Sequence, residues 1–268
     1  MRLRLWQIDA FAEKALEGNP AAVMPLAEWL DAALMQRIAA ENNLAETAFF
    51  VRREPGQYGL RWFTPETEVD LCGHATLASA WLIFGELEPA IGRVSFATKS
   101  GTLVVERGSD GRHLMSLPSD LVVPLENVDQ LAQDIAAELE TERPSALCRG
   151  RNLMAVFDSA ESVRKIRHPG NVGRLFDKKF GLIATAQGDA GYDFISRYFA
   201  PHHGVPEDPV TGSAHCALTP FWSKRLGKKT LKARQVSARG GDLVCTDEGE
   251  RTLISGACAL YLRGEVLL

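Results

Sequence analysis

The sequence predicts an α+β protein of two similar domains, each a curved sheet around one central helix. Three observations carry this. The first is Glu207-Asp208-Pro209-Val210-Thr211-Gly212-Ser213-Ala214-His215-Cys216. Here acidic residues and a proline end one segment, and Thr211-Gly212-Ser213 starts a helix of small and apolar residues running to Trp222. The second is its counterpart, Glu68-Val69-Asp70-Leu71-Cys72-Gly73-His74-Ala75-Thr76, which has the same order of acid, glycine, polar side chain and apolar helix. The third is that strands precede and follow that turn in each half. A helix so apolar must be covered all round, and a sheet curved about it does so. Helix N-termini carry unpaired N–H groups and a partial positive charge. Gly73 and Gly212 therefore mark two seats for a carboxylate or phosphate, expected to face one cleft. The plainer alternative is two ordinary capped core helices.

In chain order, Arg2 to Phe11 alternates as a strand, with Leu3, Leu5 and Gln7 on one side and Arg4, Trp6 and Ile8 on the other. Gly18-Asn19-Pro20 is a turn, and Ala21 to Met24 a strand. Asp31 to Asn42 reads as a helix with Leu34, Met35 and Ile38 inward, stopped at Asn42-Asn43. Leu44 to Val51 is an apolar strand interrupted by Glu46. Tyr58 to Phe63 is a strand, and the Cys72-Gly73-His74 turn opens a helix to Phe84. Residues 93–100, 101–107 and 113–117 are short strands. Proline and charge mark 118–128 as a boundary, giving domains 1–118 and 119–268, with the last strand free to return to the first domain. Asp129 to Glu140 is an amphipathic helix. Strands follow at 146–149 and 153–157, helical segments at 159–166 and 171–176, and strands at 181–185 and 193–199. The helix 213–226 then leads to strands near 232–237, 242–247, 251–260 and 265–268.

Composition bounds the function. The chain has 268 residues, 46% hydrophobic and 24% charged, enough to bury a substantial core. Net charge is 30 − 34 = −4 without a long basic run, which argues against nucleic acid as a partner. Lys224-Arg225 reads as a solvated helix end. Five cysteines without a tight pattern fit a reducing compartment. No leader-like or membrane-spanning run is visible, so no membrane partner and a cytoplasmic location are expected. No dinucleotide fingerprint, P-loop or zinc motif is present.

Glu46 is a carboxylate within an apolar strand. It is either turned to solvent or held in a cavity, where desolvation would raise its pKa toward that of a general acid/base.

The motifs Asp9-Ala10-Phe11, Gly18-Asn19-Pro20-Ala21-Ala22-Val23, Asn43 through Phe49, Arg61-Trp62-Phe63-Thr64-Pro65, Cys72 through Ala78, Ser196 through Pro201 and Glu207 through His215 together resemble the phenazine-biosynthesis PhzF-like family, in family order over nearly the whole chain. The resemblance implies the diaminopimelate-epimerase-like fold, a cleft between two domains, a homodimer, and neither metal nor organic cofactor. The family's founding activity moves a proton on trans-2,3-dihydro-3-hydroxyanthranilate. Carried over by position, Glu46 matches the acid/base carboxylate, and His74 and Asp208 match polar groups of the substrate site. Gly73, Gly212 and Ser213 match helix-start residues that hold the substrate, with Cys72 and Thr211 beside them. The resemblance thus implies a small carboxylate-bearing substrate, isomerised by one tuned carboxyl.

Related cofactor-independent epimerases use two cysteines. Cys72 occupies the first slot, but Thr211 fills the second and cannot be a thiolate. Cys216, a helical turn further on, reads as buried packing, as do Cys148, Cys245 and Cys258. A helix N-terminus lowers a thiol pKa, so Cys72 is either reactive or a small residue lining the site. The alternatives to the Glu46 isomerase are therefore an amino-acid epimerase or racemase using Cys72, and a non-catalytic small-molecule-binding or interaction protein. His202-His203 would point apart in an extended chain and do not suggest a metal. His215 is either a substrate contact or a helix-surface residue. His113 and His168 belong to no motif.

Overall fold

A computed structural model describes residues 1–167, 169–176, 181–203 and 205–268; His168 lies outside the described residues. The chain divides into two compact units, Met1–Leu117 with Ile254–Leu268, and Pro118–Leu253. The sequence predicts a second domain of 119–268 with only the last strand free to return to the first. In the structure Ile254–Leu268 packs with the first unit, and the division falls within one strand.

In the first unit, β1 (Arg2–Ala10) pairs antiparallel with β2 (Asn19–Leu26). Helix α1 (Ala32–Asn42) crosses over to β3 (Glu46–Glu54), which lies parallel to β2. β4 (Gln57–Phe63) returns antiparallel, and the two-residue β5 (Glu68–Val69) pairs with its end. Helix α2 (Gly73–Leu82) then crosses to β6 (Arg93–Thr98), parallel to β4. β7 (Gly101–Arg107) and β8 (His113–Pro118) continue antiparallel.

The second unit repeats this grammar. A short β9 (Val123–Pro124) pairs with β10 (Ala146–Arg149), and α3 (Asp129–Glu138) lies between them in sequence. β10 pairs antiparallel with β11 (Leu153–Val156). Helix α4 (Ala160–Arg164) crosses to β12 (Leu182–Gln187), parallel to β11. β13 (Phe194–Ala200) returns, and the short β14 (Val205–Asp208) pairs with it. Helix α5 (Gly212–Leu226) crosses to β15 (Thr230–Gln235), parallel to β13, and β16 (Gly241–Asp247) follows antiparallel. β17 (Arg251–Gly256) and β18 (Cys258–Leu267) end the chain, β18 pairing with β1.

The central helices are as enclosed as their composition requires. His74 through Ala80 of α2 are all buried, as are Ala214 through Thr219 of α5. On the opposite face of the first sheet, Met35 and Ile38 of α1 pack with Met24, Phe49 and Phe63. Strands β2 and β3 are thus covered on both faces, which explains the apolar runs 21–24 and 48–51. Ile135 of α3 and Val163 of α4 share a core with Leu153, Leu182 and Phe199 in the second unit.

Two expectations change. The strand expected over 251–260 is two strands, broken at Ala257. A side chain at Gly256 would meet the Phe11 ring at 2.3 Å, and the Ala12 N–H bonds the Ala257 carbonyl at 3.1 Å. The crossing of the Phe11 segment therefore sets the break. Second, β18 is continuous to Leu267, so 265–268 is not a separate strand. The helix expected over 213–226 is α5, with Pro220 in its interior. Its missing N–H frees the Cys216 carbonyl, which accepts instead from the Asp120 N–H at 3.0 Å. Gly227, at φ 64°, caps α5 in the left-handed conformation.

Candidate functional site

Strand parity decides which way Glu46 points. Phe49 packs with α1, so Glu46, three residues earlier, has the opposite parity and faces α2. There its Oε2 lies 3.2 Å from Nε2 of His74, in the first turn of that helix. His74 Nδ1 lies 3.2 Å from the Asn19 side-chain amide and 3.5 Å from Cys72 Sγ. Glu46 is half-buried, while Cys72 and His74 are buried.

Electrostatics fixes the imidazole. Burial pushes His74 down to about 3, so the ring is neutral at physiological pH. The Asn19 amide donates to Nδ1, which leaves the ring proton on Nε2, toward Glu46. A neutral ring beside a carboxylate does not neutralise it, and the 3.2 Å approach is a close contact without hydrogen-bond alignment. Donor atoms of Glu46, Cys72 and His74 lie within 4.8 Å of one another, so these residues are also chemically able to hold a soft divalent cation.

The second unit brings together another group. Asp208 ends β14, and the Thr211 hydroxyl donates to its carboxylate. Gln235 of β15 accepts from the Thr211 N–H at 2.9 Å and donates to the Asp208 carbonyl at 2.7 Å. The buried Gln235 therefore ties the turn to the sheet. The Thr211 hydroxyl donates to Asp208 and accepts from Gln235 Nε2 at 3.2 Å and does not cap α5, and Cys72 gives α2 no side-chain cap either. By contrast α1 and α4 are capped by Asp31 and Ser159. Gly73 and Gly212 thus open helices whose first N–H groups lack a side-chain cap, and Ser213 is exposed beside Gly212.

The acidic residues ahead of the two turns do a different job. Arg61 of β4 grips Glu68 of β5 through two bonds of 2.7 and 2.9 Å, and Lys99 adds a third at 2.7 Å. Arg197 of β13 grips Glu207 of β14 in the same bidentate manner, at 2.6 and 2.8 Å. Each clamp fastens the short strand that delivers the chain to its central helix.

Other candidates separate from these clusters. His215 is fully buried against Phe194 and donates from Nδ1 to the Thr211 carbonyl at 2.8 Å; it is not a helix-surface residue. His202 lies 2.6 Å from the Gly173 carbonyl, and the His203 side chain falls outside the described residues. His113 is buried against Phe84. Burial pushes the Cys216 and Cys245 thiols up to about 12, consistent with packing roles. Sequence reasoning missed Asn19 and Gln235 as members. Asn19 was visible only as a turn residue, and Gln235 sits among strand residues with no distinguishing signal.

The profile of phenazine biosynthesis-like (PhzC-PhzF) proteins matches residues 8–264. An uncharacterized isomerase of Pseudomonas aeruginosa is 44% identical over 269 residues, covering 100% of both chains. A crystal structure of a PhzF-family phenazine biosynthesis protein of Enterococcus faecalis superposes with a TM-score of 0.91 at 42% identity, covering 100% of both chains. A hydroxyproline epimerase of Agrobacterium vitis shares the fold alone, at a TM-score of 0.59 and 10% identity over 99% of this chain and 92% of that one. The fold is therefore that of the diaminopimelate-epimerase-like proteins, and the chain is an enzyme of the isomerase class. Among the described residues, no helix is long and apolar enough to cross a membrane. Matched along nearly its full length by sequence and by structure, the chain belongs to the phenazine biosynthesis-like PhzC/PhzF family.

Proposed function

We propose that this isomerase moves a proton on a small carboxylate-bearing metabolite, with Glu46 as the general acid/base and no metal or organic cofactor. The observation that carries the reading is the 3.2 Å contact between Glu46 Oε2 and Nε2 of a neutral, buried His74. In the proposed step the Glu46 carboxylate removes a proton from one substrate carbon. The electron pair moves into the adjacent π system, the double bond shifts, and the Glu46 carboxyl returns the proton to a different carbon. Nothing is oxidised or reduced. His74 lies beside the carboxylate as a neutral, buried ring, and the Asn19 amide donating to Nδ1 fixes its tautomer. The uncapped helix start at Gly73, with Cys72, is proposed to bind and orient the substrate, and in the second unit the uncapped start at Gly212, with Thr211, Ser213 and Asp208, is proposed as an anion seat of the same kind. We also propose that the protein is a homodimer.

The substrate is to be found by screening carboxylated metabolites for thermal stabilisation, since a ligand at a hundred times its Kd adds roughly 2.7 kcal/mol. Glu46→Gln is then expected to bind the hit about as tightly as the parent. It should lose about a thousandfold or more in kcat and stop exchanging the labile proton with deuterated water. Full exchange in Glu46→Gln would remove Glu46 from the mechanism. Activity should survive exhaustive chelation; loss restored by zinc would make the Glu46, Cys72 and His74 cluster a metal site instead.

A second reading has one observation in its favour. Cys72 Sγ lies 3.5 Å from His74 Nδ1, a thiol next to an imidazole, as an epimerase or racemase using Cys72 would need. Thr211 at the matching start of α5 supplies no second thiol.

A further inference from the structure

We propose that the second unit carries a binding site for a small amphipathic carboxylate, unrelated to the proton-transfer residues. A cavity of about 540 Å³ lies between the 121–124 segment and the last turns of α5. That is within the size range of small-molecule pockets.

The cavity follows from two constraints on the chain. Pro220 frees the Cys216 carbonyl, which pins the segment at the Asp120 N–H. β9 pairs with β10 at Cys148 and Arg149, and the Leu125 N–H bonds the Leu147 carbonyl at 2.9 Å. The chain is therefore held at both ends, and Leu121 and Val122 span the gap instead of collapsing onto the helix. Leu121 is 72% exposed at the rim, and Cys148, 3% exposed, lines the cavity from β10. On α5, Pro220, Phe221, Lys224 and Arg225 recur at helical spacing and present one face to it.

Charge selects the ligand. The lining contains two cations and no acid. The Arg225 guanidinium lies 5.7 Å from the ring centroids of both Phe221 and Trp222, which holds it against the apolar wall. The neighbouring carboxylate in sequence, Asp120, is turned to the Arg151 N–H at 3.0 Å. An apolar trough ending in a forked guanidinium and an ammonium suits an alkyl or aryl chain bearing one carboxylate. A cationic amphiphile would meet two like charges.

Decanoate is the probe, with decylammonium and decanol as controls, titrated by calorimetry into the full-length protein. We expect one decanoate per chain, binding at least about tenfold tighter than either control. Lys224→Glu with Arg225→Glu should weaken decanoate at least about tenfold; both residues are exposed, and an unchanged circular dichroism spectrum checks their fold. Decanoate should also slow alkylation of Cys148, followed on its peptide by mass spectrometry. Absence of binding, equal binding of decylammonium, or undiminished binding to the double variant would overturn the proposal. So would self-association that Leu121→Glu abolishes and decanoate leaves unchanged, since a second copy would then be the occupant.

Discussion

Arg197→Met removes the centre of the clamp that delivers β14 to α5. In the parent the guanidinium makes two bonds to Glu207 and a third to the Ile166 carbonyl at 2.6 Å, and Arg197 is only 8% exposed. Methionine fills much of the space but leaves Glu207 without its cation. Removing one partner of a buried pair costs about 3–5 kcal/mol. The Glu207 side chain keeps 19% of its exposure, so water offsets part of this and we expect about 3 kcal/mol. Urea unfolding followed by circular dichroism measures the loss. Adding Glu207→Leu should recover more than half of it, because the orphaned charge is gone, giving a coupling energy of about 1.5 kcal/mol or more. Additive single and double variants, coupled by less than about 0.5 kcal/mol, would refute the clamp.

The corresponding clamp in the first unit should show itself by pH. Arg61, with Lys99, holds the Glu68 carboxyl down to about 2, below the roughly 4.3 of an unfolded chain. Its stabilisation is thus complete above about pH 4.3 and fades as pH falls toward 2. Glu68→Gln should be less stable than the parent at pH 7, with the difference closing over that window; a difference that stays constant down to pH 2 would contradict the assignment. Cys72→Ser should keep most of the activity if Glu46 moves the proton. A loss of about a thousandfold in a well-folded Cys72→Ser protein would favour the thiol epimerase.

Much of the fold was legible because its signals are local. The acid–glycine–apolar order at Gly73 and Gly212 marked both central helices, and an apolar helix needs enclosure whatever covers it. The short strands β5, β9 and β14 were not legible. They span two to four residues, and their place comes from the Arg61 and Arg197 clamps and from β10, not from any period. The break at Ala257 depends on Phe11, remote in sequence. Glu46 was visible as an anomaly, but its direction was not. That direction follows from Phe49 packing on α1, a tertiary fact.

The two units share a scaffold but not a chemistry. Arg61–Glu68 and Arg197–Glu207 occupy matching places on β4–β5 and β13–β14, and α2 and α5 both begin at a glycine without a side-chain cap. The reactive positions diverge. Cys72 before Gly73 corresponds to Thr211 before Gly212, and His74 after it corresponds to Ser213. Thr47 pairs with Phe63 as Leu182 pairs with Phe199, so the position matching Glu46 is Gly181, which has no side chain. A mechanism with a thiol base from each half would require a reactive group of that kind at both helix starts, and α5 offers a threonine and a serine there. A single carboxyl that both takes and returns the proton requires only one. The asymmetry of side chains on a repeated backbone is thus the physical reason to seek the proton transfer at Glu46.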